Sequence, residues 1–124
     1  MMELTISGKV YQFKFGMGFM RDLNRQVSAP VDGLKDISKN IGLRYKLSGL
    51  FDGDVEDLVD VLDCANKGFE PRVTRDVLDE YIDDENTDIN ELFETVMDFL
   101  SKANATRRAM EDIKREVEKQ QKNQ

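Results

Sequence analysis

Carboxylates are the side chains of this sequence best able to do chemistry, and they recur at helical spacing. Asp57 and Asp60 stand three residues apart in one segment, and Glu80 and Asp83 in another. Four such acids converging would hold Mg²⁺ for a phosphate-cleaving reaction, because hard cations take oxygen ligands. A calcium reading is weaker. Asp52, Asp54 and Glu56 alternate, as do Asp84, Asn86 and Asp88, but the sixth loop positions, which need Gly for a sharp turn, hold Asp57 and Ile89. Other chemistries lack their residues. The chain has no His and a single Cys, Cys64, which excludes Ser-His-Asp and Cys-His nucleophiles, imidazole and four-cysteine metal sites, and an internal disulfide. Gly16-Met17-Gly18 is too short for a phosphate loop, and Arg21 stands where the third glycine of a dinucleotide fingerprint belongs. Acids are so dense between residues 52 and 98 that i,i+3 pairs arise by chance, and solvated helix faces account for them better. No catalytic set, metal site or cofactor is expected.

The elements that carry these residues must fit in 124 residues, 40% hydrophobic and 35% charged, which suits one domain with a modest core. Charge is unevenly spread. Residues 1–51 carry a net +4, residues 52–98 a net −14 and residues 99–124 a net +3, for −7 in all. The acidic centre repels phosphates and disfavours nucleic acid as a partner, while attracting a basic partner or the chain's own basic ends. No apolar run approaches the roughly 18 residues of a membrane span. Met1-Met2-Glu3-Leu4-Thr5 lacks the basic start and apolar stretch of a signal peptide, and a lone Cys fits a reducing compartment. A cytosolic protein is expected.

Periodicity supplies the elements. Leu4, Ile6, Tyr11 and Phe13 alternate around Ser7-Gly8-Lys9, a hairpin pattern. The loop falls at Ser7-Gly8 or Gly8-Lys9; the second is preferred because a type II′ turn takes Gly first. Phe19, Met20, Leu23 and Val27 recur at helical spacing, and Leu43, Leu47, Leu50 and Phe51 suggest another helix. Gly42 and Gly49 interrupt that second pattern and leave the fold of residues 31–51 open. Asp54 caps a helix with the stripe Val55, Leu58, Val59, Leu62 and Ala65, closed by Asn66-Lys67-Gly68. Thr74 caps a short helix bearing Val77, Leu78, Tyr81 and Ile82. Asp88 and Glu91 open a final helix in which an apolar seam runs in 3-4 steps from Ile89 through Ala103 to Val117. Beyond Ala103 the seam narrows to Met110, Ile113 and Val117 among charges, and is expected either to fray as a solvated helix or to dock on something other than its own domain. The expected fold is α+β, mainly α: an N-terminal β-hairpin packed on a small helical bundle, with a long C-terminal helix. Residues 1–104 are read as the globular part and 105–124 as a charged helical arm with a disordered end. Met110, Ile113 and Val117 on the seam, with Glu56, Asp60 and Asp63 on the acidic helix, are the candidate partner-binding residues.

The opening block, Met2 to Gly16 followed by Gly18-Phe19-Met20-Arg21-Asp22-Leu23-Asn24, resembles the start of the tail assembly chaperones of long-tailed phages of Gram-positive hosts. Gly53 to Leu62 resembles the family's central helix. Asp79-Glu80-Tyr81-Ile82-Asp83, Leu92-Phe93 and Lys102-Ala103-Asn104-Ala105-Thr106 resemble its later helices and the junction before the charged tail. Ser7 departs from the Asn that relatives often carry. The resemblance implies a non-enzymatic role in the host bacterial cytoplasm: binding the aggregation-prone tape measure protein before tail tube protein polymerises around it, and absence from the finished virion. It also implies two forms, the longer made by a frameshift and engaging the tail tube protein, with this chain as the shorter. A homo-oligomer is compatible with the seam; nucleic acid and membrane are not expected partners. The runner-up readings are an acidic, DNA-mimicking regulator of phage or host, and an all-α Mg²⁺-dependent nucleotide phosphohydrolase. The second loosely resembles this chain, with Asp-x-x-Asp where those enzymes carry Glu-x-x-Glu.

Overall fold

A computed structural model describes residues 1–122 of the chain. A hairpin of β1 (Met2–Ile6) and β2 (Lys9–Phe13) leads into α1 (Met17–Asn24). A second small hairpin, β3 (Ser28–Pro30) with β4 (Ser38–Asn40), precedes α2 (Gly42–Phe51), α3 (Val55–Asn66), α4 (Arg75–Asp83), α5 (Ile89–Lys102) and α6 (Asn104–Lys122). The α+β, mainly helical class is as expected, with the hairpin at the start and a long helix at the end.

In the first hairpin Met2 pairs with Phe13, Leu4 with Tyr11 and Ile6 with Lys9, so the loop is Ser7-Gly8 rather than the preferred Gly8-Lys9. Both residues take positive φ, 50° and 81°, as a type I′ turn demands at both central positions, and Gly8 does so without a Cβ penalty. Either register keeps the same face inward. Met2, Ile6, Tyr11 and Phe13 are buried against the helices, which an isolated hairpin needs for stability.

Helix α1 ends at Asn24, short of the expected Val27, whose carbonyl instead accepts from Ile41 N–H at 2.8 Å. The glycines that weakened the pattern in α2 are its points of closest approach. A Cβ on Gly42 would meet the Leu23 carbonyl and lie 2.9 Å from that of Asn24; one on Gly49 would strike the Asp57 carboxylate. These contacts let α2 lie tightly on α1 and α3. Helix α3 is the centre of the fold. Its Leu58, Val61 and Leu62 are fully buried, and Asp54 caps it by accepting from Asp57 N–H at 3.0 Å. Thr74 and Asp88 cap α4 and α5 in the same way.

The C-terminal seam departs most from expectation. The helix is interrupted at Ala103, and α6 packs on α2 and α5. Met110 is 2% exposed and Ile113 8% exposed, both within the main core. The narrow seam is therefore covered by the domain's own α2 and α5, and residues 105–122 are not a free arm. Lys119–Lys122 continue the helix where disorder was expected; Asn123 and Gln124 lie outside the described residues.

Candidate functional site

The acidic face of α3 is built by three basic side chains from elsewhere. Lys46 on α2 lies 2.5 Å from Asp60 and 3.7 Å from Asp57. Arg75, at the start of α4, lies 2.5 Å from the other Asp60 oxygen and 3.9 Å from Asp63. Arg72 donates to the Asp63 carboxylate at 3.0 Å and to its backbone carbonyl at 3.0 Å. Burial alone would raise the Asp60 pKa, but hydrogen bonds from Lys46 and Arg75 outweigh it and hold the carboxyl below its ordinary range. Burial also opposes the charge on Lys46, yet the hydrogen bond and charge of Asp60 leave its pKa raised. Asp57 goes the other way. Burial and the Asp54 charge push its pKa up against the pull of Lys46. Two of the expected partner-binding acids, Asp60 and Asp63, are thus neutralised inside the fold, while Glu56 is exposed.

Their arrangement does not make a metal centre. Asp57 and Asp60 are held by ammonium and guanidinium groups, and Glu80 and Asp83 lie exposed on α4. Among the described residues no three carboxylate or thiol groups come together to hold an ion. Asp54 and Asp88, from the two alternating acidic runs, serve as helix caps. Burial pushes the Cys64 thiol up to about 11, and its Sγ sits 3.6 Å from the Phe19 carbonyl. A thiol so placed is a core side chain and not a nucleophile.

One open cleft lies between α3 and α4. Its lining combines Val55, Val59 and Ile82 with Glu56, Asp79 and Asp83, and with the Asp60–Arg75 ion pair. Val55 is 39% exposed, and the three acids make no ion pair among the described residues. Such a strip of apolar contact edged by free carboxylates suits an amphipathic segment with basic flanks. Of the seam residues, Met110 and Ile113 are enclosed, while Val117 stays half-buried at a groove it shares with Arg44, Ser48, Glu116 and Gln120.

Sequence reasoning missed Asn66, which is fully buried at the end of α3. Its Nδ2 donates to Gln12 O at 2.9 Å and Pro71 O at 3.3 Å, and its Oδ1 accepts from Val73 N–H at 2.6 Å and from Arg72 at 3.0 Å. One amide thereby ties the hairpin, α3 and the loop before α4 together. The only signal in the sequence is a polar residue ending an apolar helix, and that reads equally as a stop.

No helix of the described residues is long and apolar enough to cross a membrane. Compared with known proteins, residues 3–114 match a family model described as phage tail assembly chaperone protein, TAC. No curated protein and no solved structure matches.

Proposed function

The chain belongs to the phage tail assembly chaperone family, and from that premise we propose that it binds the tape measure protein and keeps it soluble while tail tube subunits assemble. Membership of the family implies phage tail proteins as partners and suggests a non-enzymatic role. The proposed setting is the host bacterial cytoplasm, with release before the virion is complete. A frameshifted longer form would bring the tail tube protein to the same complex.

The observation that carries this reading is the family match over residues 3–114. The α3–α4 cleft supports it with a surface suited to a helical, aggregation-prone client. Apolar burial at Val55 and Ile82 would supply affinity, and Glu56, Asp79 and Asp83 would select a basic flank and speed encounter. Asp60 and Asp63 act indirectly, by holding α4 against α3.

Co-expression with the tape measure protein tests the proposal. The client alone is expected in the insoluble fraction, and soluble with the chain, in a complex recovered by affinity capture. Glu56→Lys with Asp83→Lys should weaken capture roughly tenfold or more at low salt, with the difference shrinking as salt rises. A client equally soluble with and without the chain, and not captured by it, refutes the reading. Capture unaffected by the reversal moves the binding surface off the cleft.

A further inference from the structure

The fold treats the two edges of the first hairpin differently. In an antiparallel pair, opposed residues alternate between exchanging hydrogen bonds and pointing their N–H and C=O outward. The two-residue loop makes Ile6 and Lys9 the closing bonded pair, so Leu4–Tyr11 and Met2–Phe13 bond as well, while Thr5–Val10 and Glu3–Gln12 point outward. On the β2 side the end of α3 meets that outward edge. The Gln12 carbonyl accepts from Asn66 Nδ2 at 2.9 Å, and Lys14 N–H donates to the Ala65 carbonyl at 2.9 Å. On the β1 side the edge is open. Its sheet holds only β2 besides itself, and among the described residues nothing hydrogen-bonds to the outward backbone groups of Glu3 and Thr5, both exposed. Beside it lies a cleft lined by Leu4, Tyr81 and Thr95, all half-buried, and by the exposed Asp84, Asp88 and Glu91. Neither these three acids nor Glu3 makes an ion pair among the described residues.

We propose that the open edge of β1 takes an extended segment of a second protein as a third strand, one that alternates apolar side chains with Lys or Arg. Glu3 and Thr5 each offer one donor and one acceptor to such a strand. Alternate side chains of the segment fall on opposite faces of the sheet. One set reaches Leu4 and Tyr81 in the cleft, and the other lies beside Glu3. Asp84, Asp88 and Glu91 add to the negative potential around both, which favours cations in the segment. Charge on a free edge ordinarily keeps other strands away. Here its sign admits a basic strand and repels an acidic one. A second copy of this chain is disfavoured for that reason, since pairing two β1 edges brings Glu3 and the acids of the cleft toward their counterparts. This surface reads extended backbone, whereas the α3–α4 cleft offers side chains to a helix.

Titration of the full chain with a short synthetic peptide of alternating Lys and Val, read by calorimetry and amide hydrogen exchange, tests this. The peptide should bind, and the Glu3 and Thr5 amides should become protected. Two further peptides keep its charge and carry N-methyl groups on alternate amides, one on the Lys set and one on the Val set. Only one set can face β1, so one of the two should lose binding and the other keep it. Thr5→Pro removes an N–H that points away from β2, which an edge strand tolerates, and should weaken the parent peptide about tenfold. The methylated peptides leave the protein unaltered and decide the question if that variant is unstable. Glu3→Lys with Glu91→Lys should also weaken binding about tenfold at low salt, and less as salt rises. A peptide that does not bind overturns the proposal. So does equal binding of the parent and both methylated peptides, which would mean attraction to the acidic surface alone. Protection of Glu3 and Thr5 that grows with protein concentration and excludes the peptide would put a second copy on the edge, and overturns it too.

Discussion

Replacing Gly49 by Ala should destabilise the protein, although the local rule points the other way. Gly49 lies inside α2, where Ala is favoured over Gly by about 1 kcal/mol in an exposed helix. Here the added methyl would overlap the Asp57 carboxylate, with Cγ at 2.7 Å and Cβ at 3.1 Å from the new atom. The carboxylate tip could turn aside, but the Cβ is fixed on α3, and turning the tip disturbs its pairing with Lys46. Overpacking of this kind costs about 1–3 kcal/mol. Set against the propensity gain of about 1 kcal/mol, the expected net loss is up to about 2 kcal/mol, and more if the two helices part. At roughly 3–5 °C per kcal/mol for a domain of this size, the melting temperature should fall by up to about 10 °C. Urea denaturation of Gly49→Ala, Asp57→Ala and the double variant completes a cycle. In the Asp57→Ala background the Oδ2 and Cγ overlaps are gone, so the cost of the methyl should shrink and the coupling should reach about 1 kcal/mol. A raised midpoint for Gly49→Ala, or strict additivity in the cycle, would show that α2 and α3 are not in close contact there.

Four further outcomes follow from the same contacts. Asp60→Asn should lose about 1–3 kcal/mol at neutral pH by leaving Lys46 and Arg75 without a charged partner. Because the folded Asp60 pKa lies below its unfolded value, that stabilisation is complete above the ordinary carboxylate pKa and disappears as pH falls through the folded one. The deficit of the variant should therefore close below about pH 4. Asp57, whose pKa is raised, carries a charge the fold resists, so Asp57→Asn should cost less than Asp60→Asn at pH 7; chemical denaturation of both would expose the opposite order. Asn66→Leu should destabilise by about 2–4 kcal/mol, leaving the Val73 N–H and Gln12 carbonyl unpaired, and fast amide exchange at Val73 would report it. Ile113→Ser should lower the melting temperature of the whole chain, at a cost of about 2–4 kcal/mol, and an unchanged melting curve would mean that α6 does not pack on the domain.

Local signals in the sequence were legible, and those that depend on a distant partner were not. Asp54, Thr74 and Asp88 could be named as caps because each binds an N–H three residues on. Leu58, Leu62, Leu92 and Val96 could be placed inside because helical period alone puts them on one face. The choice between Ser7-Gly8 and Gly8-Lys9 was open because both keep that face, and the outcome rests on Ser7 accepting a positive φ. Gly42 and Gly49 read as helix breakers because the carbonyls of Leu23 and Asn24 and the Asp57 carboxylate they make room for belong to other segments. The break at Ala103 has only a weak local signal, the poor helix former Asn104 with no Gly or Pro beside it. Its agents are Thr106 reaching back to Leu100 and a groove on α2 some sixty residues earlier in the chain.

The same distinction governs the acidic face. A segment carrying net −14 looks like one field, but folding subtracts from it unevenly. Lys46 arrives from the basic N-terminal third and Arg72 and Arg75 from the segment itself, and all three go to Asp57, Asp60 and Asp63, the least exposed acids. The pairing that fixes α4 on α3 therefore removes charge from the middle of α3. It leaves Glu56, Asp79 and Asp83 without an ion pair among the described residues, around the exposed Val55 and the partly buried Ile82, with Arg75 the cation beside them. In the proposed function, attraction for a basic segment coincides there with apolar contact. One set of ion pairs thus holds the two helices and leaves the cleft between them as the surface the proposal offers to a partner.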